Sequence, residues 1–189
     1  MESTAAYFEK SGKANTETCL AIVDKAIRER GFKHLVVATT EGDTALLFAE
    51  KLKTTGANIV AVTHCANFKG PNVIELAEDR KKAIESAGAK IHTGTMVTHS
   101  IETAFAAKFQ GLYPTLIFAN TLRIFGQGTK VAVEIVLMAA DAGLIPECEE
   151  VIAVAGTARG ADTVLIIKSA ASKRTLDLRV LEVLAKPRE

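Results

Sequence analysis

The sequence has no tryptophan, 5% aromatic residues and three cysteines, and each scarcity excludes something. Cys19, Cys65 and Cys148 stand too far apart for the close-spaced pairs of a structural zinc site, and their odd number does not suit a disulfide framework. A reducing, cytoplasmic setting fits them best. No uncharged apolar run reaches the length that spans a bilayer. Met1 to Lys10 carries Glu2 and Glu9 and lacks a basic end followed by an apolar core, so no secretion signal is expected. Charge of one sign is missing too. With 23 Lys and Arg against 22 Asp and Glu, the formal net charge of +1 excludes the broad field that gathers nucleic acid or an anionic membrane. An anionic ligand must therefore be held locally.

What is present is a globular composition, 48% hydrophobic and 24% charged over 189 residues, which suits a single domain spanning residues 1–189. Cys19, Ile22, Val23, Ala26 and Ile27 recur three and four apart, so Asn15 to Arg30 reads as an amphipathic helix that Asn15 or Thr16 can cap and Gly31 can end. Lys33 to Ala38 reads as a strand, and Thr39 to Thr44 as a loop into a helix from Thr44 to Thr55 that stops at Gly56. The apolar strand Ile59 to Val62 follows. Strands without polar alternation belong in a parallel sheet covered on both faces. The pattern repeats with a looser stretch from Thr63 to Asn72, a helix from Val73 to Ala87 and a strand from Lys90 to Thr93.

Beyond lie a helix from Ser100 to Phe109, an apolar piece from Tyr113 to Ala119 and the turn Phe125 to Gly128. Val131 to Ala140 suits a buried strand or a buried helix, and its length favours a helix running to Gly143. Glu150 to Ala155 and Thr163 to Lys168 read as strands joined without a helix, hence as an antiparallel pair at one edge, and Val180 to Leu184 as a last strand. The fold class expected is therefore α/β, three layers, around a mostly parallel sheet.

In such sheets ligands bind beyond the carboxyl ends of the strands. The loop Thr39, Thr40, Glu41, Gly42, Asp43, Thr44 offers hydroxyls, a glycine and unpaired amides at a helix start, which favour a phosphate. Asp43 is expected to cap the helix, and Glu41 brings a competing charge. The loop matches neither the three-glycine dinucleotide pattern nor a P-loop. Gly156, Thr157, Arg159 and Gly160 form a second candidate, open to two readings: a guanidinium fork that grips phosphate, or an ordinary turn with a solvated arginine. Gly126, Gly128 and Lys130 form a third, where Lys130 serves the ligand or only pairs with Glu134. Thr63 and His64, after the second strand, and Thr98 and His99, after the third, are expected to line the same crevice, with Cys65 as packing.

The runs Leu35 to Ala45, Ile59 to Thr63 and Val151 to Ile167 resemble the C-terminal α/β domain of pyruvate kinase. Phe125 to Gly128, Val133-Glu134-Ile135, Met138 to Gly143 and Arg159 to Thr163 look closer still to small stand-alone proteins built like that domain, and the likeness covers nearly the whole chain. The resemblance implies a domain that holds a phosphorylated effector, with Thr39 to Thr44 in the place of the effector's phosphate loop. Glu41-Gly42-Asp43 departs from the kinase pattern and argues against a sugar bisphosphate. The stand-alone relatives are associated with flavin mononucleotide (FMN), whose single phosphate suits a loop that contains acids.

The resulting expectation is a protein that binds a phosphorylated small molecule, FMN in particular, and forms a homo-oligomer. Pyruvate kinase activity is not expected, since its eight-stranded barrel needs at least about 200 residues of its own. The alternatives are a flavin-dependent oxidoreductase or phosphate-ester hydrolase with His64 or His99 carrying protons, and an interaction domain that self-assembles through the long apolar helix and an edge strand.

Overall fold

The computed structural model describes residues 4–189; Met1 to Ser3, at the head of the segment read for a secretion signal, lie outside the described residues. The strands are β1 (Ala6–Phe8), β2 (His34–Ala38), β3 (Asn58–Val62), β4 (Lys90–His92), β5 (Glu150–Ala155), β6 (Thr163–Lys168) and β7 (Arg179–Pro187). The α-helices are α1 (Thr16–Arg30), α2 (Asp43–Leu52), α3 (Glu78–Ser86), α4 (Ile101–Phe109), α5 (Pro114–Arg123) and α6 (Gln127–Asp141). All seven strands form one sheet in the order β1-β7-β6-β5-β2-β3-β4. None of the helices is long and apolar enough to cross a membrane among the described residues.

The parallel part is β5-β2-β3-β4, paired in register as Leu35 with Ile152 and Ile59, and Val60 with Lys90. Alternate residues of the apolar strands feed opposite faces, as the two-residue repeat requires. Leu35 and Val37 join Ile59 and Ala61 beneath α1 and α2, whose Val23, Ile27 and Phe48 are buried there. Val36, Val60 and Val62 face the other way, against Val133, Val136 and Leu137 of α6, with Phe118 and Leu122 of α5 packed at its side. The uncertain run from Val131 is thus a helix, apolar on most sides because it lies against the sheet and under α5.

Three elements differ from the sequence reading. The antiparallel pair β5–β6 is present, but the sheet continues past it: β7 pairs antiparallel with β6 and β1 pairs parallel with β7. The helix expected from Val73 begins only at Glu78, since Val73 and Ile74 are exposed, Ala77 is extended, and the acidic pair Glu78 and Asp79 supplies the helix start. The apolar piece from Tyr113 is a helix, α5, with Pro114 in its first turn.

Candidate functional site

The carboxyl ends of β2, β3 and β5, with α6 as one wall, enclose a cleft of about 790 Å³. That volume lies in the range of small-molecule sites. Thr39, Thr40, Glu41, Asp43 and Thr44 line it from the β2–α2 loop, Thr63 and His64 from the end of β3, and Gly156, Arg159 and Gly160 from the β5–β6 turn. Lys130 and Glu134 of α6 line it as well.

The β2–α2 loop is shaped by Gly42, which has φ of +98° and whose α-carbon faces Arg80 and Leu76 so closely that a Cβ would collide with both. Gly42 is thus a packing glycine behind the loop. It is also the N-cap residue of α2, where no side chain caps the helix. The cap expected of Asp43 is not made. Asp43 is the first helical residue and pairs with Arg80 at 3.3 Å, although its charge still complements the helix dipole. The first bond within α2 runs from the Leu46 N–H to the Gly42 carbonyl, 2.9 Å, which leaves the amides of Asp43, Thr44 and Ala45 outside the helix ladder.

The β5–β6 turn is held from inside by Asp162, which is fully buried. Its carboxylate accepts from the Gly12 and Thr157 N–H groups at 2.8 and 2.9 Å and from the Thr163 hydroxyl at 2.7 Å. Thr157 therefore serves the turn and does not line the cleft. At Gly156 a Cβ would stand 2.5 Å from the Gly160 carbonyl oxygen, and at Gly160, where φ is +73°, it would meet Thr16 Oγ1 at 2.5 Å. Thr16 Oγ1 in turn accepts from the Ala161 N–H at 3.1 Å, which stitches the start of α1 to the turn.

Arg159 is half exposed but not left without a partner. Its Nη2 donates to Glu41 Oε1 at 2.6 Å, so the guanidinium expected to grip phosphate and the acid expected to compete with it hold each other across the cleft. The contact keeps the Glu41 carboxyl below its ordinary range, the hydrogen bond being the main cause.

Deeper in, Lys130 and Glu134 form an ion pair of 2.5 Å, with side chains 2% and 3% exposed. Thr98 does not line the cleft: its N–H donates to Glu134 Oε1 at 2.9 Å, and its hydroxyl donates to the same oxygen. Burial pushes the Glu134 carboxyl up, but the Lys130 charge and the bonds from Lys130 and Thr98 outweigh it and hold the carboxyl below its ordinary value. Burial lowers the Lys130 ammonium. Gly126 and Gly128 stand apart from the cleft. Gly126 precedes α6 with φ of +118°, and Gly128 lets α6 approach Thr163 more closely than any side chain would allow.

His64 Nδ1 lies 2.8 Å from Glu75 Oε2. Its ring stands 4.3 Å from that of Phe68, which stands 6.0 Å from His99, so three rings form one wall. His99 Nδ1 is buried with no partner, and burial lowers the His99 pKa. Gln127, within the third candidate loop, lines the cleft, as do Lys13, Thr16, Glu17 and Arg123, none of which was expected there from the sequence. The only sign of Lys13, Thr16 and Glu17 was the glycine before Lys13 and the hydroxyl of Thr16, which a helix-capping role explains equally well.

Similar solved structures include a pyruvate kinase from Cryptosporidium parvum, at 18% identity over 82% of this chain and 23% of that one, with a TM-score of 0.43. A hydrogen sulfide-producing enzyme from Fusobacterium nucleatum matches at 23% identity over 51% of this chain and 28% of its own, TM-score 0.32. An O-ureido-L-serine synthase matches at 19% over 72% and 42%, TM-score 0.33. This chain thus spans 23% of the length of the pyruvate kinase it resembles. The family model described as "Pyruvate kinase, alpha/beta domain" matches residues 17–167, from α1 through β6, and the chain belongs to that family.

Proposed function

We propose that the cleft binds a phosphorylated ligand of mononucleotide size, with FMN the specific candidate. The observation that carries this reading is the order of groups along the sheet. The β5–β6 turn with Arg159 comes first, the β2–α2 loop with its free amides next, and the His64–Phe68–His99 wall last, beyond β3 and β4. From β5 to β4 is three strand spacings, about 14 Å, a length that suits a phosphate at one end of a ligand and a planar ring at the other. Lys13 adds a cation beside the turn. Under the ring, Lys130 spends one donor on Glu134, and an ammonium carries three, so a ligand carbonyl is a fitting acceptor.

In this reading phosphate replaces Glu41 on Arg159. The pair is half exposed, and such pairs contribute little on their own. Glu41→Gln should therefore tighten FMN binding and Arg159→Ala weaken it, both read by fluorescence titration. FMN at 100 times its Kd should stabilise the protein by about 2.7 kcal/mol, while riboflavin, lacking the phosphate, should do far less. If neither FMN nor a phosphorylated sugar raises the Tm, the reading fails.

One observation favours a second reading, proton-transfer chemistry at the cleft: the Glu75 carboxylate orients His64 as a carboxylate orients a general base. Loss of turnover in His64→Gln with FMN affinity retained would support it.

A further inference from the structure

Residues 101–125 present an apolar surface that the rest of the molecule does not cover. Ile101, Phe105 and Phe109 recur every four residues and so form a stripe on α4, a helix with no buried residue. The stripe leads into Leu112, which is 88% exposed, and then to α5, where Ile117 and, just past the helix end, Ile124 lie seven apart. Leu112, Leu116, Ile117 and Ile124 line a shallow groove of about 440 Å³ between the Gly111 turn and α5. From these residues and this geometry, we infer that the α4–α5 hairpin is the interface of a two-fold homodimer, in which the phenylalanine stripe of each copy enters the groove of the other.

Three features point to a second copy as the occupant. The patch carries both the projecting rings and the recess, side by side along the chain, and a two-fold axis satisfies both at once. Its area is adequate. At about 200 Å² for a large apolar side chain, the seven exposed side chains Ile101, Phe105, Phe109, Leu112, Ile117, Ile124 and Phe125 leave roughly 900 Å² open. One partner of a standard interface contributes about 800 Å². The charges within the patch are already engaged. Glu102 accepts from the Thr115 N–H and hydroxyl, Lys108 lies 5.5 Å from the Phe109 ring, and Arg123 donates to Gln127 and Asn120. A partner of strong charge would find little to pair with, and a membrane-binding helix would need many more lysines and arginines around its apolar side.

The test is sedimentation equilibrium on the full chain from micromolar to near-millimolar concentration. A species of twice the 20.1 kDa chain mass is expected. Phe109→Glu should raise the dimer Kd on the order of 30-fold or more, as loss of an interface anchor does. Leu112→Asp, at a site too exposed to disturb the fold, should act in the same direction and decides the matter if Phe109→Glu fails to fold. Amide exchange of the unaltered chain should slow across 101–125 as concentration rises. A monomer at every concentration overturns the inference, whether or not the chain then binds lipid vesicles or another protein. So does a dimer that is indifferent to both substitutions and shows no such slowing.

Discussion

A lysine and a glutamate one turn apart on an exposed helix are an unremarkable pair, but Lys130 and Glu134 are almost wholly buried at the floor of the cleft. Their two charges lost water on folding and rely on one another and on Thr98 for replacement bonds. Removing one partner strands the other, so Glu134→Leu or Lys130→Met alone should cost about 3–5 kcal/mol, whereas the two together, which remove both charges and keep the volume, should be close to neutral. Urea unfolding of the two singles and the double gives the answer. Roughly additive single losses in the double variant would mean that the pair is solvated and not a buried unit. The spacing of these residues was legible in the sequence, but their burial was not. Nothing in a chain of residues tells which side of a uniformly apolar helix faces the sheet, and the third member of the cluster, Thr98, comes from a loop 36 residues away. The same limit applied to Arg159, whose partner Glu41 is 118 residues distant.

Among elements, the βαβ run from β2 to β4 was the most legible part, because its parallel strands announce themselves as apolar runs that follow the glycines ending the preceding helices, Gly31, Gly56 and Gly88. The β5–β6 turn was legible as a turn but not as a packed one. Its glycines looked like a means of exposing backbone to a ligand, and they are also the only residues that fit. Gly160 takes a left-handed φ of +73° and stands against both Lys13 and Thr16. Gly160→Ala would combine backbone strain with displacement of the start of α1, so it should lower the Tm and also weaken FMN binding by moving Lys13 and Arg159. Gly31→Ala is the control for strain alone. Gly31 shares the same φ of +73° at the end of α1, where a Cβ would meet nothing within 4 Å. Equal losses of ligand affinity in the two variants, measured by titration below both melting temperatures, would show that the turn's packing has no part in the cleft.

At the scale of the whole molecule, the order of the strands was the least legible feature. An antiparallel pair without a helix between its strands looks like the end of a sheet, yet β7 returns to cover β6, and β1, three residues long and too short to stand out from its surroundings, adds the margin. The consequence is that β5, β2 and β6 lie innermost, with β5 and β6 buried on all but one residue and β2 on its three central ones, while β1 and β4 bound the sheet with none of their residues fully buried. Local opening follows the number of covered hydrogen bonds and apolar contacts, so the margins should open at lower free energy than the centre. Native-state hydrogen exchange should find the amides of Val36, Ile152 and Leu165 exchanging only through global unfolding, and those of β1 and β4 through smaller openings. Saturating FMN should then protect Thr39 to Ala45 and Gly156 to Gly160 beyond the global increment, because the ligand proposed here bridges the free amides of one loop and the turn beside it. Protection spread evenly over the sheet, or confined to the far ends of the strands near Lys33 and Gly143, would place the ligand outside the cleft.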